Sequence, residues 1–410
     1  MVAAGDMTLK QRDNLLEAMT EEVGQLVLRD NYDQTQALSI AASRGGALLD
    51  SQTRLIRELE RGHLKLNRAI EYLPDDELLA ERAAAGTGLT RPEMAILLAY
   101  AKMALYDELL GSDLPDDQQL GADLALYFPE RLRASADCDT TALTIGFEAA
   151  RRIFRLDEAW DAVSALDGKI DAEAQLRLYE EIAVVLRRHT FWLARRVARQ
   201  NMGGVGDLIK AYRQAADDLR DAGGSVLSRF EQARLKTRKE TFVEAGSPRE
   251  LAATIALMRP MVAASDIADL ARELKWSAPA MARLYHQVGA AFDLDRLRAA
   301  AGSLASADHY ERLAVRRMVE DFMAEQVVIT RAVARGCKEA VGESEKTAEA
   351  AVDAWVGDRL GIAEGVRSTV DEIEQSSHGW SFAKLTIANV AVRDFAAAAA
   401  QSMAATKRSG

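Results

Sequence analysis

The side chains whose types and spacing bear on chemistry are few in this 410-residue sequence. Glu60 and His63 stand at the i, i+3 spacing that sets a carboxylate and an imidazole on one helix face. A di-iron bundle needs two such motifs and two further inward glutamates. No second E-x-x-H occurs, and Gly62 weakens a helix at this point. His189, His286, His309 and His378 stand apart, with neither an H-E-x-x-H pattern nor a cysteine partner. Gly86-Thr87-Gly88 is a G-x-G, but a dinucleotide turn joins a strand to a helix and carries a third glycine. This one has neither. Arg188, Arg195 and Arg199 fall on one helical face, with Arg187 and Arg196 beside them. Such a stripe can grip carboxylates or phosphates bidentately, which makes it a candidate anion or effector patch. The plainer expectation is pairing with acids of this chain or of a neighbouring subunit. No nucleophile elbow or phosphate loop is present. No catalytic, cofactor-binding or metal residue is therefore assigned.

The elements that would position these residues read as helices almost throughout. Thr8 and Gln11 have the spacing of a capping box, followed by Leu15, Leu16, Met19, Val23, Leu26 and Val27 at a helical period. These six side chains are the candidate interface, because the stripe is wider than a lone surface helix should show. Met19-Thr20-Glu21-Glu22 has the composition to restart a second helix within this stretch. Thr90-Arg91-Pro92-Glu93 is the clearest helix start, and Met94, Leu97, Leu98, Ala101, Leu105 and Leu109 supply its apolar face. Ser247-Pro248-Arg249-Glu250 repeats that grammar. Further helices are expected near 75–85, 141–155, 157–166, 171–200, 207–222, 225–245, 265–275, 279–291, 306–341, 348–360, 362–376 and 381–403. No alternating strand pattern is bounded by turn chemistry, and no fixed repeat supports a solenoid.

Bulk composition agrees. There are 7 prolines, aromatics make up 6% and hydrophobic residues 49%, which favours helix and supplies a large core. The net charge of −11 argues against nucleic acid and anionic membrane surfaces as partners. Two cysteines, Cys138 and Cys337, fit a reducing cytosol, and neither a signal-peptide core nor a transmembrane run is seen. The expected fold is all-α: a multi-helix bundle of two or three packed subdomains without significant sheet. A cytoplasmic protein is expected.

Met19–Val23 and Leu26–Thr35 resemble a segment of the large-subunit bacterial NAD-specific glutamate dehydrogenases, lying there just after the nucleotide-binding domain. The likeness continues through Leu48-Leu49-Asp50, Arg54–Arg57, Leu59-Glu60, Gly88–Glu93, Ala99–Lys102 and Tyr127-Phe128-Pro129. Looser matches follow at Ala150–Phe154, Leu156 with Trp160, and Trp380–Leu385. The blocks Asn31–Thr35 and Gly88–Glu93 are the distinctive ones. After Pro129 the family carries a basic, histidine-containing segment and an asparagine-rich stretch, whereas here the chain passes almost directly to Cys138.

The resemblance implies the C-terminal helical region of an enzyme that converts L-glutamate to 2-oxoglutarate and ammonia with NAD. The family's catalytic lysines, aspartate and dinucleotide glycines lie upstream and map onto no position here. NAD is accordingly expected in the full-length parent and not on this chain. The expected partners are the upstream catalytic domains and further copies in a homo-oligomer. The expected division is 1–42 as a junction completing the catalytic domain, 43–136 as a first helical subdomain, and 137–410 as the C-terminal subdomains. The rival readings are a stand-alone helical adaptor or scaffold and, third, a bundle metalloenzyme.

Overall fold

A computed structural model describes residues 8–110, 150–151, 153–199, 205–304, 309–337, 339–342, 345–357, 360–376 and 379–406. Among these residues there are sixteen α-helices, one short 3-10 turn and no strand. The chain divides into two compact units, Met1–Glu148 with Leu193–Val205, and Ala149–Trp192 with Gly206–Gly410.

The first unit contains α1 (Leu9–Ser43), α2 (Gly46–Arg61), α3 (Asp76–Ala84) and α4 (Arg91–Leu110). Thr8 caps α1, and the reciprocal box with Gln11 is made. The helix then runs unbroken for 35 residues, so the restart expected at Met19-Thr20 does not occur. The Thr20 hydroxyl donates instead to the Leu16 carbonyl at 2.9 Å, one turn back, and is satisfied inside the helix. Leu49, Ile56 and Leu59 of α2, Leu79 of α3, and Met94 and Leu97 of α4 form the core, closed by Leu66, Leu73 and Leu89 from the connections. Leu38, Ala41 and Ala42 bring the end of α1 onto it. Burying each such leucine contributes roughly 1.5–3 kcal/mol.

The start of α4 follows its sequence signature. The Thr90 amide donates to Glu93 Oε2 at 2.7 Å and the Glu93 amide to Thr90 Oγ1 at 3.5 Å. Arg82 adds a bidentate pair to the same carboxylate at 2.7 and 3.0 Å. Burial raises the Glu93 carboxyl, but these donors outweigh it and hold it below the ordinary value. The parallel start at Ser247 is not made: Pro248 occupies the cap position of its helix without a side-chain bond.

The second unit runs α5 (Leu156–Ser164), α6 (Ala172–Arg199, whose last turns fall in the first unit), α7 (Val205–Ala222), a 3-10 turn (Gly223–Val226), α8 (Arg229–Glu244), α9 (Arg249–Met261) and α10 (Ala264–Leu274). It continues with α11 (Ala278–Ala291), α12 (Leu294–Ser303), α13 (His309–Gly336), α14 (Glu345–Gly357), α15 (Leu360–Gln375) and α16 (Phe382–Thr406). The stretch expected as one helix over 225–245 is thus a 3-10 turn followed by α8. Most of the helix expected at 141–155, and Cys138, lie outside the described residues. Helix α11 is the centre: Met281, Leu284, Tyr285, His286, Val288 and Gly289 are all buried. It touches α10, α12, α13 and α14, and α13 pairs extensively with α16. No single described helix is long and apolar enough to cross a membrane. The pair α9 and α10 is apolar enough together, but it bends by 61°, and Ile255, Ile267 and Leu270 are core residues.

Candidate functional site

The E-x-x-H residues part company. Glu60 accepts two bonds from Arg68, at 2.7 and 2.8 Å, while His63 Nε2 meets Asp107 at 2.7 Å on an exposed surface. Among the described residues no three histidine, cysteine or carboxylate side chains gather where an ion would sit. Gly86-Thr87-Gly88 lies against the Gly45-Gly46 turn. A Cβ at Gly46 would lie 2.5 Å from the Gly86 carbonyl oxygen, and one at Gly88 would lie 2.7 Å from the Gly45 carbonyl. Two glycine turns therefore cross in backbone contact.

Of the arginine stripe, Arg188 is half-buried and donates to Asp266 at 3.1 Å. Burial raises the Asp266 carboxyl, opposed by Arg188 and the Trp192 indole. The side chains of Arg195 and Arg199 lie outside the described residues. Beside Arg188, His189 is fully buried and stacked on Phe154 at 3.8 Å, with Nε2 donating to the Met261 carbonyl at 2.9 Å. Burial depresses its pKa to about 3, so the ring is neutral.

The densest polar group lies where α8, α11, α12 and α13 meet, and the sequence reading did not find it. His286 Nδ1 stands 2.6 Å from Glu231 Oε2, and Arg298 approaches Glu231 Oε1 at 3.7 Å. Arg298 also donates to Gln326 Oε1, whose amide donates to the Tyr285 carbonyl at 2.7 Å. The Gln326 amide occupies the notch left by Gly289, where a Cβ would come within 2.7 Å of it. Ser228 caps α8 and donates to Asp295 Oδ2 at 3.2 Å. Burial raises Glu231, but His286 and then Arg298 overcome it and hold its carboxyl at about 2. Asp295 is pushed up, by burial and then by Glu231. A cleft of about 220 Å³ beside it is lined by Arg229, Phe230, Asp293, Asp295, Arg296 and Glu349. One signal was readable: Ser228 and Glu231 are a Ser-x-x-Glu box. His286 and Asp295 meet it only through space.

The apolar stripe of α1 is split. Met19 is 4% exposed and Leu15 and Leu26 are half-buried, whereas Leu16 is 54%, Val23 41% and Val27 53% exposed. Leu9, 59% exposed, extends the open line and was not among the six residues of the sequence reading.

These features define an all-helical protein with a charge-paired interior and an open apolar helix face. Residues 86–138 and 131–394 match the family described as glutamate dehydrogenase, C-terminal, and the chain belongs to that family. Residues 1–41 match the bacterial NAD-glutamate dehydrogenase catalytic domain. The chain is similar to the NAD-specific glutamate dehydrogenase of Pseudomonas aeruginosa, 30% identical over 446 residues, 97% of this chain and 26% of the relative. It is similar to that of Halomonas elongata, 29% identical over 417 residues, 92% of this chain and 25% of the relative. The likeness to that of Mycobacterium tuberculosis is 42% over 135 residues, 32% of this chain and 8% of the relative. The chain thus spans about a quarter of the length of the first two relatives. The resemblance read from Asn31–Thr35 and Gly88–Glu93 is borne out. The family match falls into two overlapping pieces that meet at 131–138.

Proposed function

We propose that this chain is the C-terminal helical region of a longer, cytoplasmic NAD-dependent glutamate dehydrogenase, and that it serves assembly, domain packing or regulation and not the chemistry itself. The parent reaction is oxidation of L-glutamate to 2-oxoglutarate and ammonia. One observation carries the reading. Gln34, Thr35 and Ser39, inside the stretch that matches the catalytic domain, are bonded to Lys102 and Arg91, inside the stretch that matches the C-terminal family. The two family segments thus share one packed unit, as expected of a region continuous with catalytic domains. The glycine turn, preceded by a helix and packed against the Gly45-Gly46 backbone, supports a chain that leaves NAD to the upstream part.

Calorimetric titration of this chain with NAD, beside an assay of glutamate-dependent NAD reduction, tests the proposal. The expected outcome is neither binding nor turnover by this chain, and turnover by the polypeptide extended to its relatives' full length. Saturable micromolar binding at one site per chain would overturn it. Inactivity of the extended polypeptide would favour a helical adaptor.

A further inference from the structure

The open face of α1 has a definite geometry. At ~100° per residue, Leu9, Leu16, Val23 and Val27 fall within about 40° of one another around the helix, forming a narrow seam along its first half. Each is exposed, while Met19, Leu15 and Leu26 on the neighbouring face turn inward. A seam of this kind along a helix normally faces another element, because leaving it in water forgoes its burial.

Gly24 gives a second, independent indication. Glycine inside a helix costs roughly 0.5–1 kcal/mol relative to alanine. Among the described residues nothing lies within 4 Å of where its Cβ would stand, so none of their contacts requires a glycine there. It borders the seam beside Val27, one turn on, where a missing side chain admits close approach by another backbone.

The occupant follows from what the same helix matches. Residues 1–41 match the catalytic domain, and the relatives are about four times as long as this chain. The other end of α1 is held within this chain. Arg91 donates to Ser39 Oγ at 2.6 Å and to the Thr35 carbonyl at 3.4 Å, and Lys102 donates to Gln34 Oε1 at 2.9 Å. The geometry points to α1 as a two-ended coupling helix: its seam of Leu9, Leu16, Val23 and Val27, with Gly24 at the edge, docks on the catalytic portion of the same longer polypeptide. Its far end stays clamped to α4. At ~1.5 Å per residue the helix spans about 50 Å, long enough to carry a displacement from one part to the other. The inference rests on the proposed function and adds the surface through which it acts.

Thiol labelling tests it. Val23→Cys is introduced with Cys138→Ser and Cys337→Ser into this chain, and Val23→Cys alone into the polypeptide of the relatives' full length. Maleimide modification of the position-23 thiol is followed by mass spectrometry. Labelling is expected to be fast and independent of concentration in this chain, and at least tenfold slower in the long polypeptide. Adding Gly24→Leu should restore fast labelling in the long polypeptide while leaving this chain's melting temperature unchanged or raised. Equal rates in the two proteins would overturn the docking. Protection in this chain that grows with its concentration would overturn it in favour of a second copy. Glutamate-dependent NAD reduction is measured in parallel. Activity without protection removes only the docking, and absence of activity removes the parent reaction.

Discussion

At the scale of single residues, the buried His189 and the part-buried Glu231 are expected to make the fold sensitive to acid in different pH windows. His189 is neutral in the folded chain, with a pKa of about 3 against an ordinary 6.5. Below 6.5 the unfolded chain takes up a proton that the folded one refuses. The stability present above 6.5 is therefore lost progressively toward 3, on the order of 5 kcal/mol in all. His189→Phe keeps a ring against Phe154 and removes the proton site. Its unfolding midpoint is expected to vary less between pH 6.5 and 4.5 than that of the parent chain, whatever its absolute stability. Parallel pH profiles would show that His189 does not bury uncharged. Glu231, held at about 2 against 4.5, acts lower down: its contribution is complete above 4.5 and disappears as pH falls toward 2. Asp266 and Asp295, pushed upward, run the other way and temper the acid loss. Glu231→Gln at neutral pH removes the carboxylate that faces both Arg298 and the His286 ring. It should cost about 3–5 kcal/mol, the range for breaking a buried pair, by urea denaturation. The sequence shows Thr90 and Glu93 because the partners of a capping box are three residues apart. It hides Glu231, His286 and Asp295 because their pairing is set by which helices cross.

Among the elements, periodicity and caps were legible where the competing signals were weak. The box at Thr90 is made, and with it a prediction: Thr90→Ala should destabilise by roughly 0.5–2 kcal/mol, read from the denaturation midpoint. Arg82 keeps its hold on Glu93 in that variant, so the helix start loosens without leaving the carboxylate bare. An unchanged midpoint would show that Arg82 alone fixes the start. Thr20 and Ser247 mislead because a hydroxyl near a helix start has other outlets. Thr20 bonds back to Leu16, and the Ser247 hydroxyl turns to the Pro248 carbonyl at 3.5 Å. The glycine turns illustrate the other limit. Gly86-Thr87-Gly88 reads in the sequence only as a turn without the dinucleotide pattern, and only the packing of α2 beside α3 and α4 makes it one crossing with Gly45-Gly46. Gly88→Ala would force two backbones apart there, at a cost of roughly 1–3 kcal/mol by the same measurement. Gly24→Ala, in open space, should stabilise the chain by up to about 1 kcal/mol.

For the whole molecule, the boundary between family segments and the boundary between packed units differ. The catalytic-domain match ends at residue 41, yet Leu38, Ala41 and Ala42 pack on the core built by α2, α3 and α4. Sequence likeness placed a junction at the start of the chain, but no local pattern says which of two neighbours a helix end belongs to. Removing residues 1–42 tests this directly. The first unit would lose the half-buried Leu38 and its alanine neighbours, and Arg91 and Lys102 would lose Ser39, Thr35 and Gln34 as acceptors. Loss of that apolar contact and those exposed bonds should together cost about 2–4 kcal/mol. The tryptophans make the outcome readable, because Trp160, Trp192, Trp276, Trp355 and Trp380 all belong to the second unit. Helical circular dichroism reports both units, whereas tryptophan fluorescence reports the second alone. The truncated chain should show an earlier dichroism transition and a fluorescence transition at the parent's midpoint. Coincident curves for truncated and parent chains in both signals would place α1 energetically outside the first unit. The clamp at Arg91 and Lys102 would then have no energetic weight, and the coupling drawn through it would have no physical basis.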